Sequence, residues 1–296
     1  MKGQTGGRDA MSTGGRIGMV ILEIVVLAVF VLFMIPFALL VINASKVSAD
    51  IVRTPMGLPA DWSQLFTNIK ALLANGNFDF WSAFRDSAII TVASLAVITL
   101  GSAMAAWVLA RSKTKWSALI FMGFVAAMVI PFQVVMLPLL SVYKGAGEAL
   151  GVKLLSSYPG LVTAYLGFGC SITIFILHGF IKGIPLELEE AAKIDGCKPI
   201  AIFFRVVIPL LQPVLVTVVI LNGIWIWNDF LLPSLMLGMK GSIQTLPIAV
   251  SSFVGAYVKQ WDMILTSTLL AILPIIVFFL FAQRYIIKGM VDGSIK

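Results

Sequence analysis

Residues Pro185–Pro209 read PLELEEAAKIDGCKPIAIFFRVVIP, the longest strongly charged interruption in the apolar second half of the chain. Pro185 suits the first position of a helix, where its missing N–H costs nothing. Glu187, Glu189 and Glu190 then crowd the early turns, where the positive end of the helix favours them. Ala191, Ala192 and Ile194 continue the helix, and Gly196 stops it in the usual C-terminal way. Pro199 opens a second helix through Ile202, Phe203, Phe204 and Val207, which Pro209 is expected to end or kink. The spacing predicts a short helical hairpin, smooth at Ala191–Ala192 and acidic beside it. Such a unit in a connecting loop of an apolar protein suits contact with something soluble. The plain alternative is a surface loop with well-formed caps.

The rest of the chain sets the environment of that loop. The 296 residues are 59% hydrophobic and 12% charged, against about 25% charged in soluble domains. Six long apolar stretches carry the excess: Ile17–Ile42, Ala88–Ala110, Trp116–Val142, Tyr158–Ile181, Val214–Leu237 and Met263–Ala282. Each reaches the ~20 residues that a helix needs to cross ~30 Å of hydrocarbon. Only Glu23 and Asp229 are charged within them. Backbone groups in lipid must be satisfied internally, so each stretch is expected to be helical. An outer-membrane barrel would show ~10-residue alternating segments instead. The expected fold is all-α, a polytopic membrane protein with six transmembrane helices. The apolar core of the first stretch is far longer than the 7–15 residues of a signal-peptide core, and no clear A-x-A site follows, so it reads as a retained span. Before it, Gly3, Gly6, Gly7, Gly14 and Gly15 predict a disordered tail.

Charge sets the orientation. Thirteen of the 21 Lys and Arg residues fall in the N-terminal tail, the second and fourth loops and the C-terminal tail. The positive-inside rule places both termini and the charged loop in the cytoplasm. The net charge of +7 is then explained by basic residues at helix ends, and no nucleic-acid partner is needed. Cys170 and Cys197 fall in a span and in the charged loop, in a reducing setting, so no disulfide is expected. Neither has metal-ligand spacing.

The hairpin carries a family resemblance. Glu190-Ala191-Ala192, three residues, Gly196, nine residues, then Val206, Val207, Ile208 and Pro209 resemble E-A-A-x3-G-x9-I-x-L-P, the signature of permease subunits of binding-protein-dependent ABC importers. The spacing matches throughout; Val206 stands where isoleucine is usual and Ile208 where leucine is usual. Further likenesses to the carbohydrate-uptake branch are Phe84-Arg85-Asp86-Ser87, Ala110-Arg111, Trp227-Asn228-Asp229-Phe230, Thr245-Leu246-Pro247, Gln283-Arg284-Tyr285 and the run Gly289–Lys296. Together they look like the MalG-type second permease of maltose and oligosaccharide importers. The resemblance implies a type I ABC importer permease fold. It also implies that Glu190, Ala191, Ala192 and Gly196 form a coupling helix, which docks in a groove of a cytoplasmic ATPase dimer. Implied partners are a second, MalF-like permease, that ATPase, an extracytoplasmic sugar-binding protein and membrane lipid. No cofactor is implied in this chain; ATP and Mg belong to the partner ATPase. The implied division is a cytoplasmic tail 1–16, a first transmembrane helix 17–42, an extracytoplasmic loop 43–82, a permease core 83–284 with its coupling loop 182–213, and a cytoplasmic tail 285–296.

Other chemistry is sparse. Asn222, Trp225, Asn228 and Asp229 are candidates for a substrate path, because aromatic faces and amide or carboxylate groups suit the C–H patches and hydroxyls of a sugar. The competing reading places Asp229 near the outer surface, capping or pairing within the subunit. Small residues at Gly101, Ser102, Ala105, Ala106, Gly167, Gly169 and Gly179 suit close helix packing, and Pro131, Pro138, Pro233 and Pro274 suit bent spans. His178 reads as a packing residue, and Glu23 as a headgroup-level charge. The stretch 43–86 is expected to form an external cap with short helices.

Rival classes lack their signatures. An intramembrane enzyme would need a nucleophile with its base, paired carboxylates or a metal cluster. The chain has one histidine and neither G-x-S-x-G nor H-E-x-x-H. A secondary carrier would show inverted repeats and intramembrane ionisable residues. With no G-x-x-x-x-G-K-[ST], the chain has no phosphate-cradling loop of its own. A permease for another solute, such as a glycerol phosphate, stays open beside sugar uptake.

Overall fold

The computed structural model describes residues 13–76, 78–254 and 260–294, with the side chains of residues 13–17, Ala282 and 284–294 excepted. Of the expected disordered tail, residues 1–12 therefore lie outside the described residues. So do the Arg284 and Tyr285 side chains, the side chains of the C-terminal run and residues 295–296.

The described helices run in order α1 (Thr13–Ala44), α2 (Ser48–Arg53), α3 (Gln64–Leu73), α4 (Phe80–Arg111), α5 (Lys115–Ala127), α6 (Phe132–Leu150) and α7 (Tyr158–Lys182). They continue as α8 (Glu187–Ile194), α9 (Pro199–Ile202), a π-turn (Phe203–Val207), α10 (Ile208–Asn228), α11 (Leu231–Leu237), α12 (Leu246–Ser251) and α13 (Trp261–Ser294). Among them five helical runs are long and apolar enough to cross a membrane, or six if α5 and α6 count as one bent span.

The chain divides into two compact units. One comprises residues 1–71 and 260–269. Its α1 leaves apolar side chains such as Leu32 and Phe33 exposed, which suits a helix bathed in hydrocarbon. At the end of α1 the buried Lys46 ammonium donates to Asn43 Oδ1 (3.0 Å) and to the Thr54 carbonyl (2.8 Å). Asn68 of α3 donates to the carbonyls of Ala44 and Lys46, both at 2.9 Å. These bonds turn the chain from α1 into the short helices α2 and α3 that the sequence suggests for this stretch. Ser48 and Asp262 then cap the start of α13 through Ser48 Oγ–Asp262 Oδ1 (2.7 Å) and Asp262 N–Ser48 Oγ (3.2 Å).

The second unit comprises residues 72–259 and 270–296, and its core is α4, α7 and α10. Asp79 caps α4 by accepting from Ser82 Oγ (2.6 Å) and Ser82 N (3.0 Å). Those bonds hold its carboxyl below the usual range. Of the four glycines expected at close helix contacts, Gly169 is the one that needs to be small. A Cβ there would meet Ile98 Cδ1 at 2.7 Å and Asn222 Oδ1 at 3.0 Å, whereas Gly101, Gly167 and Gly179 face open space. Ser102 and Ala106 are buried as expected.

Two apolar stretches depart from single straight helices. Trp116–Val142 is broken into α5 and α6, which meet at 108°. Pro131 sits at the break with φ −64° and ψ 137°, and a proline disfavours the helical conformation in the residue before it. The expected span Val214–Leu237 is displaced. Its helix starts at Pro199, passes through the π-turn and ends at Asn228, while Leu231–Leu237 is a separate helix. Pro209 therefore does not end the second helix of the hairpin, which runs on as α10. Proline lacks an N–H and its ring crowds the carbonyl four residues back; the wider π-turn just before it absorbs that crowding.

Candidate functional sites: the charged loop and the cavity between two helices

The first candidate site is α8. Its opening turn holds Glu187, Glu189 and Glu190, where the unpaired N–H groups of a helix start favour negative charge. The helix closes with two wrapped bonds, Gly196 N to Lys193 O and Cys197 N to Ala192 O, each 3.0 Å. That is the Schellman arrangement, which places its glycine in the left-handed region. Gly196 has φ +81°, so the sequence-predicted stop at Gly196 is a backbone requirement rather than a matter of space.

The two faces of α8 differ. Glu190 and Ala191 are exposed, and Ile194 is 86% exposed. Ala192 is half-buried and packs against the Ile181–Phe203–Val207 core. Glu189, three residues before Ala192, is turned inward and nearly fully buried. Its carboxylate accepts from Arg111 Nε at 2.8 Å and from Trp107 Nε1 at 3.0 Å, and Arg111 Nη2 also donates to the Ile184 carbonyl at 3.0 Å. Helix-end electrostatics treats the three glutamates alike and so misses this pairing. The signal available in the sequence was the shared face of Glu189 and Ala192.

The second candidate site is a cavity of about 340 Å³ between α7 and α10. Asn222 and Trp225 line it, with Phe168, Gly169, Thr173 and Val218 among the others. The buried Asn222 amide donates to Thr173 Oγ1 (3.0 Å) and Val218 O (2.9 Å), and Thr173 Oγ1 donates to Gly169 O (2.7 Å). The Trp225 ring meets Tyr165 edge-on at 5.4 Å.

The other two candidate path residues sit elsewhere. Asn228 is exposed and bonds back to the Ile224 carbonyl at 2.8 Å. Asp229 caps the end of α10, accepting from Leu231 N (3.0 Å) and from the Tyr165 hydroxyl (3.0 Å). An Asp that bonds its own backbone two residues on favours a turn, which is why the helix stops there. Asp229 thus follows the capping-and-pairing reading. His178 packs flat on Phe121, ring centroids 3.9 Å apart. Both cysteines are free, and the described residues hold no cluster of three metal-ligating side chains.

Several quoted segments converge at the opposite end of the unit from α8. The buried Asp86 carboxylate accepts from Tyr158 Oη (2.8 Å), Gln244 N (3.1 Å), and Arg85 Nε (3.3 Å) and Nη2 (3.2 Å). Ser87 Oγ accepts from Leu246 N at 2.8 Å, and Phe84 meets Trp227 edge-on at 5.8 Å. Phe84–Ser87, Trp227 and Thr245–Pro247 are therefore one junction.

Comparison with known proteins agrees with this geometry. The family model "Binding-protein-dependent transport system inner membrane component" matches residues 98–292, a span that includes α8, the π-turn and the cavity. The chain belongs to that family. This permease is 39% identical to the probable starch degradation products transport system permease protein AmyC of Thermoanaerobacterium thermosulfurigenes, over 90% of this chain and 92% of the relative. It is 31% identical to the multiple sugar-binding transport system permease protein MsmG of Streptococcus mutans, over 90% and 93% of the two chains. A chain of a bacterial ABC transporter involved in import of the acidic polysaccharide alginate superposes with a TM-score of 0.74, covering 93% of this chain and 98% of the other. At 20% identity that likeness speaks for the fold, the type I permease fold. The family is one of membrane transport components, so the permease is a transport subunit that crosses the membrane several times.

Proposed function

We propose that this permease moves a sugar or oligosaccharide across the cytoplasmic membrane, driven by ATP hydrolysis in a separate ATPase. The observation that carries the reading is the outward face of α8. It offers Glu190, Ala191 and a bare Ile194 on a helix whose end is locked by Gly196. A small, smooth, partly apolar helix face outside hydrocarbon suits a protein groove, and Glu190 suits a basic group in it. Glu190, Ala191, Ala192 and Gly196 are the docking element in this reading, with Ala192 setting how closely α8 sits on its own subunit.

The complete importer then comprises this chain, a second MalF-like permease, two cytoplasmic ATPase copies that hold ATP and Mg, and an extracytoplasmic sugar-binding protein. Both termini and α8 face the cytoplasm. The division into tail 1–16, first helix 17–42, outer loop 43–82, core 83–284 and tail 285–296 belongs to the same proposal. The names of relatives that handle starch products and multiple sugars favour carbohydrate cargo. Asn222 and Trp225 supply the amide and aromatic face that a sugar would meet in the cavity, whereas Asn228 and Asp229 lie outside its lining. Among the described residues no cation lines the cavity, which favours a neutral sugar over a glycerol phosphate as cargo.

The test is co-expression with the neighbouring transport genes, purification of the complex, and ATP hydrolysis measured with binding protein and a panel of malto- and arabino-oligosaccharides. Stimulation by one of these sugars is expected. An ATPase that never co-purifies, or that ignores every sugar while a glycerol phosphate excites it, would overturn the reading.

A further inference from the structure

The last turn of α4 gathers three pieces of the charged loop. Trp107 and Arg111 lie four residues apart, on one face of the helix. Arg111 Nε holds Glu189 of α8 at 2.8 Å, and Arg111 Nη2 holds the Ile184 carbonyl in the α7–α8 linker at 3.0 Å. Trp107 Nε1 donates to the second Glu189 oxygen at 3.0 Å, while its ring packs on Phe203, the first residue of the π-turn, with centroids 5.5 Å apart. The ion pair is sheltered, the side chains being 20% and 2% exposed for Arg111 and Glu189. A buried pair with one member removed leaves an uncompensated charge, so it resists being pulled apart.

We infer that Glu189, Arg111 and Trp107 form a clamp that makes α4 the output lever of α8. The inference rests on the reading of α8 as the ATPase-docking helix. Besides the clamp, α8 is joined to its subunit by the half-buried Ala192 on the Ile181–Phe203–Val207 core and by two chain links, the α7–α8 linker on one side and the Gly196 turn on the other. One small apolar contact and two links resist the swivelling of a short helix less than a charged fork does. The fork of Arg111 removes that freedom, because it ties α8 and its entry linker to the same rigid turn. Glu189 therefore has a different task from its neighbour Glu190. Glu190 points to the ATPase, and Glu189 passes the displacement inward. Glu189 and Arg111 are positioning residues; neither touches nucleotide or cargo.

The experiment uses the complete importer in proteoliposomes with the oligosaccharide selected by the panel above. It compares wild type, Glu189→Gln and the double variant Glu189→Gln/Arg111→Gln, which leaves no unpaired charge if the single change harms folding. Three quantities are read: ATPase retained on purification, ATP hydrolysed and sugar taken up. The expected result is wild-type retention of the ATPase with sugar taken up per ATP hydrolysed falling about tenfold, a typical size for a lost coupling between sites. Unchanged uptake per ATP in the double variant overturns the clamp while leaving the docking reading intact. Loss of the ATPase from the double variant also overturns it, because Glu189 would then serve docking rather than transmission. A wild-type complex that fails to hold the ATPase brings down the docking reading itself.

Discussion

Gly196 shows how one backbone angle can be separated from packing. Its φ is +81° and a Cβ would meet nothing within 4 Å, so Gly196→Ala pays the left-handed strain alone, about 1–2 kcal/mol. Thermal unfolding of the purified complex should show that small loss, and Gly196→Pro should abolish uptake by removing the turn. Unchanged uptake in the proline variant would refute the role given to this turn. Gly169 is the opposite case, a glycine required by space. Gly169→Ala should press on Ile98 Cδ1 and Asn222 Oδ1 and cost about 1–3 kcal/mol as overpacking; an unfolding temperature equal to that of the wild-type complex would show that the space is not needed. The sequence made Gly196 legible because a C-terminal glycine after a run of helix formers has one physical meaning. It left Glu189 illegible, since a carboxylate at a helix start is equally at home in water and against an arginine 78 residues away.

At the level of elements, apolar length revealed the helices but not where they bend. Hydropathy counts side chains, whereas helix ends obey dihedral angles and caps. Pro131 therefore splits one apolar stretch at 108°. Asp229 ends another by bonding Leu231 N. The π-turn is the sharpest example, because nothing in its residues Phe203–Val207 marks an extra residue in the turn. Proline at 209 supplies the reason only after the helix is known to continue. Pro209→Ala should allow the regular α-helical bond to the Arg205 carbonyl. Resolving the bulge would rotate the hairpin by about 100°, the turn per residue of an α-helix, against the Arg111–Glu189 pair. Sugar-stimulated ATP hydrolysis in the assembled complex should fall severalfold. An equal response in the alanine variant would mean that the π-turn has no part in coupling.

For the molecule as a whole, composition alone was enough for the environment. A chain that is 59% hydrophobic with charges gathered between its apolar stretches belongs in lipid, and the charge bias supplies the direction proposed above. Impermeant thiol reagents can check that direction in a background with Cys170 and Cys197 replaced by serine. A cysteine introduced at Lys153, which is exposed, should be labelled from outside intact cells. One introduced at Lys113 should be labelled only after the membrane is opened. The reverse pattern would turn α8 away from any cytoplasmic ATPase. What composition could not reveal was the way distant segments are tied together. Local propensity carries no information about a partner 158 residues further along, as Gln244 N is for Asp86.

That junction has a consequence for how the protein is made. Asp86 is synthesised early, with Arg85 beside it, yet two of its other partners, Tyr158 and Gln244, emerge from the ribosome much later. Until then its carboxylate has only Arg85 and water to bond. The end of this unit opposite α8 is thus a late-closing seal, and a chain stalled before residue 244 would leave that carboxylate short of a partner.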